Sequence, residues 1–145
     1  MLMFVYGTLK RGYGNNRLMI NSKFLGEAVT VRPMMMIGLG VPFVWPAQNG
    51  LPLKGEVFDL GPVGEDTIAG RDATKRLAAI DRLESNGRVY ERKPHSVRMV
   101  DDGRVIHRVW IYEAMRPDRY GTVTAPDVIA RHARDGMLQW AGWLR

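Results

Sequence analysis

Cysteine is absent from the chain, which excludes a disulfide framework, a thiolate nucleophile and a sulfur-ligated metal site together. Long hydrophobic runs are absent as well. The apolar start Met1-Leu2-Met3-Phe4-Val5-Tyr6 breaks at Gly7, far short of a membrane span, and it lacks the basic flank of a secretory signal. No run of five or more like charges occurs, so no acidic or basic tail is expected. His95, His107 and His132 fall on separate segments without a paired spacing such as H-E-x-x-H, and we expect neither a metal nor another cofactor. The absences point to a reducing compartment, read as the cytoplasm, with no membrane partner.

What is present is ordinary globular material. The chain has 145 residues, 46% hydrophobic and 25% charged, the composition of a folded domain and not of a disordered segment. That length reads as a single domain, residues 1–145, burying roughly two-thirds of its unfolded surface. Net charge is +6 and the isoelectric point near 10.0, which raises a basic nucleic-acid-binding module as one reading. Acids and bases are interleaved, however, as in Asp81-Arg82-Leu83-Glu84 and Tyr90-Glu91-Arg92-Lys93. The aromatic residues fall mostly in strand-like segments and the C-terminal tail, with no stacking platform or recognition helix. A solvated mixed surface without specific nucleic-acid contacts is the better reading. No oligomeric interface is legible.

Turn signals divide the chain into short elements. Leu2 to Tyr6 reads as a buried strand, and Asn15 to Ile20 as a short helical stretch that Asn15 or Asn16 can cap. Phe24 to Val31 is a strand stopped by Pro33, and Met34 to Ile37 and Val41 to Trp45 are strands interrupted by glycine and proline. Asn49-Gly50 is the strongest hairpin signal and is expected to lead into a strand over Leu53 to Leu60. Residues 72 to 84 form the clearest helix, with Asp72 as N-cap and Asn86-Gly87 as stop. Tyr90 to Val100, the turn Asp101-Asp102-Gly103 and Val105 to Tyr112 read as an antiparallel hairpin. Pro126 opens a final helix to about Arg134, followed by an apolar tail of Leu138, Trp140, Trp143 and Leu144. This order predicts an α+β domain with a mainly antiparallel curled sheet or small barrel and flanking helices.

Two places carry candidate chemistry. Ala73, Leu77, Ile80 and Glu84 step by four, three and four, which puts a carboxylate on the apolar stripe of the helix. There, both burial and the negative end of the helix dipole raise its pKa toward neutrality. The same pattern is open to a second reading, in which Arg88 or Arg92 pairs with Glu84 or the helix end frays into water. The Gly7 to Gly14 loop has three glycines that let backbone N–H groups converge on an anion, with the Thr8 hydroxyl beside them. Its spacing alone equally fits a tight turn with Lys10 and Arg11 at a solvated tip. Tyr13-Gly14 stands where a P-loop needs Lys-Ser/Thr, and Gly38-Leu39-Gly40 lacks the third glycine of a dinucleotide fingerprint. Ser22, Ser85 and Ser96 lack a nucleophile-elbow context.

Phe4-Val5-Tyr6-Gly7-Thr8-Leu9-Lys10-Arg11-Gly12, followed by Asn15-Asn16, resembles the Y-G-[ST]-L loop of the gamma-glutamylcyclotransferase-like superfamily, nearest its gamma-glutamylamine branch. Ile80-Asp81-Arg82-Leu83-Glu84, then Tyr90-Glu91-Arg92, resembles that superfamily's D-x-x-E and Y-x-R segments, and Gly55-Glu56-Val57-Phe58 the strand before them. The likeness spans about residues 3 to 112, and Ser85 stands where the family often has glycine. The resemblance implies a small barrel that binds a gamma-glutamyl compound through Tyr6, Gly7, Thr8 and Leu9, with Glu84 as acid/base. It implies release of 5-oxoproline by attack of the substrate's own α-amine, without cofactor. A non-catalytic binder of gamma-glutamyl-like small carboxylates is the alternative within the same fold.

Overall fold

A computed structural model describes residues 1–38, 41–64, 66–115, 129–132 and 136–140. Five strands close into a barrel in the order β1 (Leu2–Val5), β5 (Lys54–Asp59), β2 (Lys23–Thr30), β6 (Tyr90–Met99) and β7 (Val105–Ala114). Every pairing is antiparallel except the closure, where β1 runs parallel to β7 at Met3 and Trp110. Strand side chains alternate between two faces, and each face has its own core. Phe4, Ala28, Val57, Val97 and Val109, one from each strand, meet inside the barrel. Met3, Val5, Phe58 and Tyr112 pack outward with Tyr90 and with Ile80 of α1 (Ile68–Leu83). The described residues also form two small antiparallel pairs, β3 (Met34–Gly38) with β4 (Pro42–Pro46) and β8 (Ile129–His132) with β9 (Met137–Trp140).

Three expectations are corrected. The helix starts a turn earlier than Asp72: Thr67 is extended and its hydroxyl accepts the Gly70 N–H at 2.9 Å, so Thr67 is the cap. Gly70 is tolerated there because a side chain would meet the Gly64 carbonyl at 2.8 Å. Asn49-Gly50 does not join two mutually paired strands, since β4 pairs with β3 while β5 pairs with β1 and β2. Gly50 is there for contact, because a Cβ would lie 2.2 Å from the Met34 carbonyl oxygen, the acceptor of the Leu51 N–H. Near the C-terminus, residues 129–132 form a strand where a helix was expected, stabilised by pairing with β9 across the Gly136 turn at φ 68°. Leu138 and Trp140 are buried in the barrel core. The remainder of that expected helix, and Trp143 and Leu144, lie outside the described residues, as do Leu39 and Gly40. Among the described residues no helix is long and apolar enough to cross a membrane.

Candidate active site

The loop that follows β1 is held from three sides. Gly7 accepts the Lys10 N–H and Thr8 the Asn15 N–H, both at 3.1 Å, which closes the turn. The Asn15 and Asn16 amides do not cap the following 3₁₀ helix, Gly14–Met19, which has no side-chain cap. They donate instead to the Thr8 hydroxyl and the Leu9 carbonyl, each at 2.8 Å. Behind the loop, Glu56 of β5 accepts the Arg11 N–H at 2.8 Å and its Nε at 3.3 Å.

Lys10 is not at a solvated tip. It is buried and donates to the Trp140 carbonyl at 2.8 Å, and desolvation lowers its pKa. Of the three glycines only Gly12 has a positive φ. Gly7 packs closely, since a Cβ would stand 3.0 Å from the Pro42 ring. The backbone N–H groups of Gly7, Thr8 and Leu9 make no hydrogen bond among the described residues, so three donors stand unused at the wall of a cavity that these residues line.

Glu84 lines the same cavity, an open cleft of about 120 Å³. It caps α1, its N–H on the Ile80 carbonyl at 3.0 Å, and Ser85 at φ 47° and Gly87 at φ 90° turn the chain back toward β6. Arg92 does not pair with Glu84. Its Nε and Nη2 donate to Asp81 at 2.7 and 3.2 Å, and among the described residues Glu84 has neither an ion pair nor a side-chain hydrogen bond. Burial without a partner pushes its carboxyl up to about 7, because the charged form loses hydration that nothing replaces. Tyr6, Tyr90 and Tyr112 form much of the remaining wall, and burial raises the Tyr6 and Tyr112 phenols.

Asp81, Tyr90, Arg92 and Tyr112 thus belong to the surroundings of Glu84. The first three stand in the D-x-x-E and Y-x-R segments without an assigned role there, and Tyr112 has no sequence signal beyond its place at a strand end. Elsewhere, His95 is buried against Glu113 at 2.5 Å and His107 meets Ser96 at 2.7 Å.

A sequence model of the family described as Gamma-glutamyl cyclotransferase, AIG2-like matches residues 3–129. The structure resembles an aig2-like protein of Mus musculus with a TM-score of 0.61 at 20% identity, over 99% of this chain and 97% of that one. A protein of Arabidopsis thaliana gives 0.58 at 20% identity, over 87% and 78%. A structure described as gamma-glutamyl cyclotransferase gives 0.53 at 13% identity, over 79% and 66%. At these identities the likenesses establish the fold. No curated protein sequence matches the chain.

Proposed function

The chain belongs to the gamma-glutamyl cyclotransferase, AIG2-like family, and we propose that it releases 5-oxoproline and a free amine or amino acid from a gamma-glutamyl compound. The observation that carries this reading is one juxtaposition. Glu84, whose carboxyl has no partner among the described residues, and Gly7, Thr8 and Leu9, whose N–H groups are unused, line a single small cleft. Backbone N–H donors suit a carboxylate, so in this reading the loop from Tyr6 to Leu9 binds the α-carboxylate end of the glutamyl group. A carboxyl that titrates near 7 suits proton exchange in both directions.

The chemistry asks for little else. The substrate's α-amine attacks its own γ-carbonyl, forming the ring C–N bond. Collapse of the tetrahedral intermediate breaks the bond to the leaving nitrogen. Glu84 takes the proton from the attacking amine and delivers one to the departing amine, so atoms and charge balance without a protein nucleophile. Amine and carbonyl already share one molecule, so seating the glutamyl chain in a folded conformation lowers the barrier by freezing its rotamers in a near-attack geometry.

The test is 5-oxoproline release, followed by mass spectrometry, over gamma-glutamyl amines, amino acids and peptides. Turnover of one class names the substrate. Ligand-induced thermal protection without 5-oxoproline would replace the enzyme with a binder of the same ligands.

A further inference from the structure

Three tyrosines share the cleft with Glu84, yet none donates its hydroxyl to it. Tyr6 donates to the Tyr112 carbonyl at 2.7 Å, Tyr90 to the Pro42 carbonyl at 2.6 Å, and Tyr112 to Asp81 Oδ1 at 2.5 Å. Two of these acceptors are backbone carbonyls, which do not titrate. The third is a carboxylate three residues ahead of Glu84, on the same side of the last helical turn. Glu84 and Tyr112 both line the cleft, and of the two carboxyl groups on this side of the helix Asp81 holds the Tyr112 proton.

The reason lies in Arg92. Its guanidinium grips both Asp81 oxygens and favours a carboxylate there, which accepts more strongly than a carboxyl that burial keeps neutral. The same residues fix the geometry: the Asp81 carbonyl accepts the Asn86 N–H at 2.9 Å, and the Asn86 side chain accepts the Arg92 N–H at 3.2 Å. The turn carrying Glu84 is thereby tied to β6 and β7. Arg82 and Arg88, the other charges near this turn, are exposed and do not line the cleft.

We propose that Asp81 is a positioning residue of this site: by holding the Tyr112 hydroxyl, with Arg92 as its countercharge, it keeps the Glu84 carboxyl without a hydrogen-bond donor. Loss of Asp81 lets the Tyr112 hydroxyl turn to Glu84. A donor on the ionised form favours ionisation, so Glu84 then titrates at lower pH and is a weaker base at neutrality. The inference rests on Glu84 as the proton carrier only for its consequence in turnover, since the titration is readable without substrate.

The experiment follows the carboxyl carbons of ¹³C-glutamate-labelled protein by NMR against pH, with Glu84→Gln identifying the Glu84 signal. Wild type is expected to titrate at about 7. Asp81→Ala with Arg92→Met, which removes the countercharge along with the charge, should move the midpoint down by about one pH unit or more, and adding Tyr112→Phe should return it to within about half a unit of wild type. A merely structural role for Asp81 would not be rescued by a further deletion. An unmoved midpoint in the double variant, or a triple variant that stays as low, overturns the proposal. Should the double variant not fold, Tyr112→Phe alone decides. It should leave the Glu84 midpoint unchanged, and a change of more than about half a unit would show that the hydroxyl already served Glu84. Absence of 5-oxoproline alongside the expected titrations would count against the catalytic reading and leave the positioning role standing.

Discussion

At the scale of single residues, Glu84 owes its behaviour to what its neighbours withhold. Replacing it with Gln keeps the volume and removes proton exchange, so turnover should fall by roughly 100-fold to 10,000-fold with little change in affinity. Stability moves the other way. The folded-state value of about 7 lies above the ordinary 4.5, so the stability linked to this group is full below about pH 4.5 and is lost as pH rises through about 7. Glu84→Gln should therefore be more stable than wild type at pH 8, by about 1–3 kcal/mol, and indistinguishable from it at pH 4. Thermal melts at both pH values check this, and destabilisation at pH 8 with normal activity would remove Glu84 from the reaction. Gly7→Val places a branched side chain where Pro42 leaves 3.0 Å. It should abolish binding of a gamma-glutamyl ligand in calorimetry while leaving the circular dichroism spectrum native.

At the scale of elements, α1 is the part whose boundaries matter most, because its last residues carry Asp81 and Glu84. Thr67→Ala removes the side-chain cap of the first turn, the Thr67 hydroxyl that accepts the Gly70 N–H, and should cost about 1 kcal/mol in denaturant unfolding. The loss falls at the far end of the helix from Glu84, so turnover should be unchanged. The loop after β1 shows how an element is shaped by partners distant in sequence. Glu56, Asn15, Asn16 and the Trp140 carbonyl brace it, which holds the N–H groups of Gly7, Thr8 and Leu9 in place ahead of any ligand. Such preorganisation lowers the entropic cost of binding.

At the scale of the molecule, we propose that residues 1–145 form one domain, expected to unfold in a single calorimetric transition whose van't Hoff and calorimetric enthalpies agree. The barrel supplies the reason, since β1 pairs with β5 and β7 and so couples the two ends of the described sheet. The net charge of +6 comes from interleaved acids and bases. Weak DNA binding at low salt should collapse at physiological salt, as scattered positive charge without base readout requires. Sequence-selective binding at physiological salt, measured by fluorescence anisotropy, would instead mark a nucleic-acid function.

The strands β1, β6 and β7 were legible, β1 as an apolar run ended by Gly7 and the other two as segments flanking the Asp101-Asp102-Gly103 turn. Glu84 stood out by itself, a charged group on the apolar stripe of a helix, and the glycines after β1 marked a loop of special conformation. These are local facts, determined by propensity and spacing within a few residues. Only the fold decided the rest. Glu84 had two readings until Arg92 was seen to lie on Asp81, and Lys10 read as solvated until the Trp140 carbonyl received it, 130 residues away. The C-terminal strand took its form from pairing with β9, a choice that local helix signals do not contain. Lys10 and Trp140 meet across a separation that no local window spans, whereas Asp81 with Arg92 and β8 with β9 lie near one another in the chain, where propensity and spacing alone do not choose between possible partners.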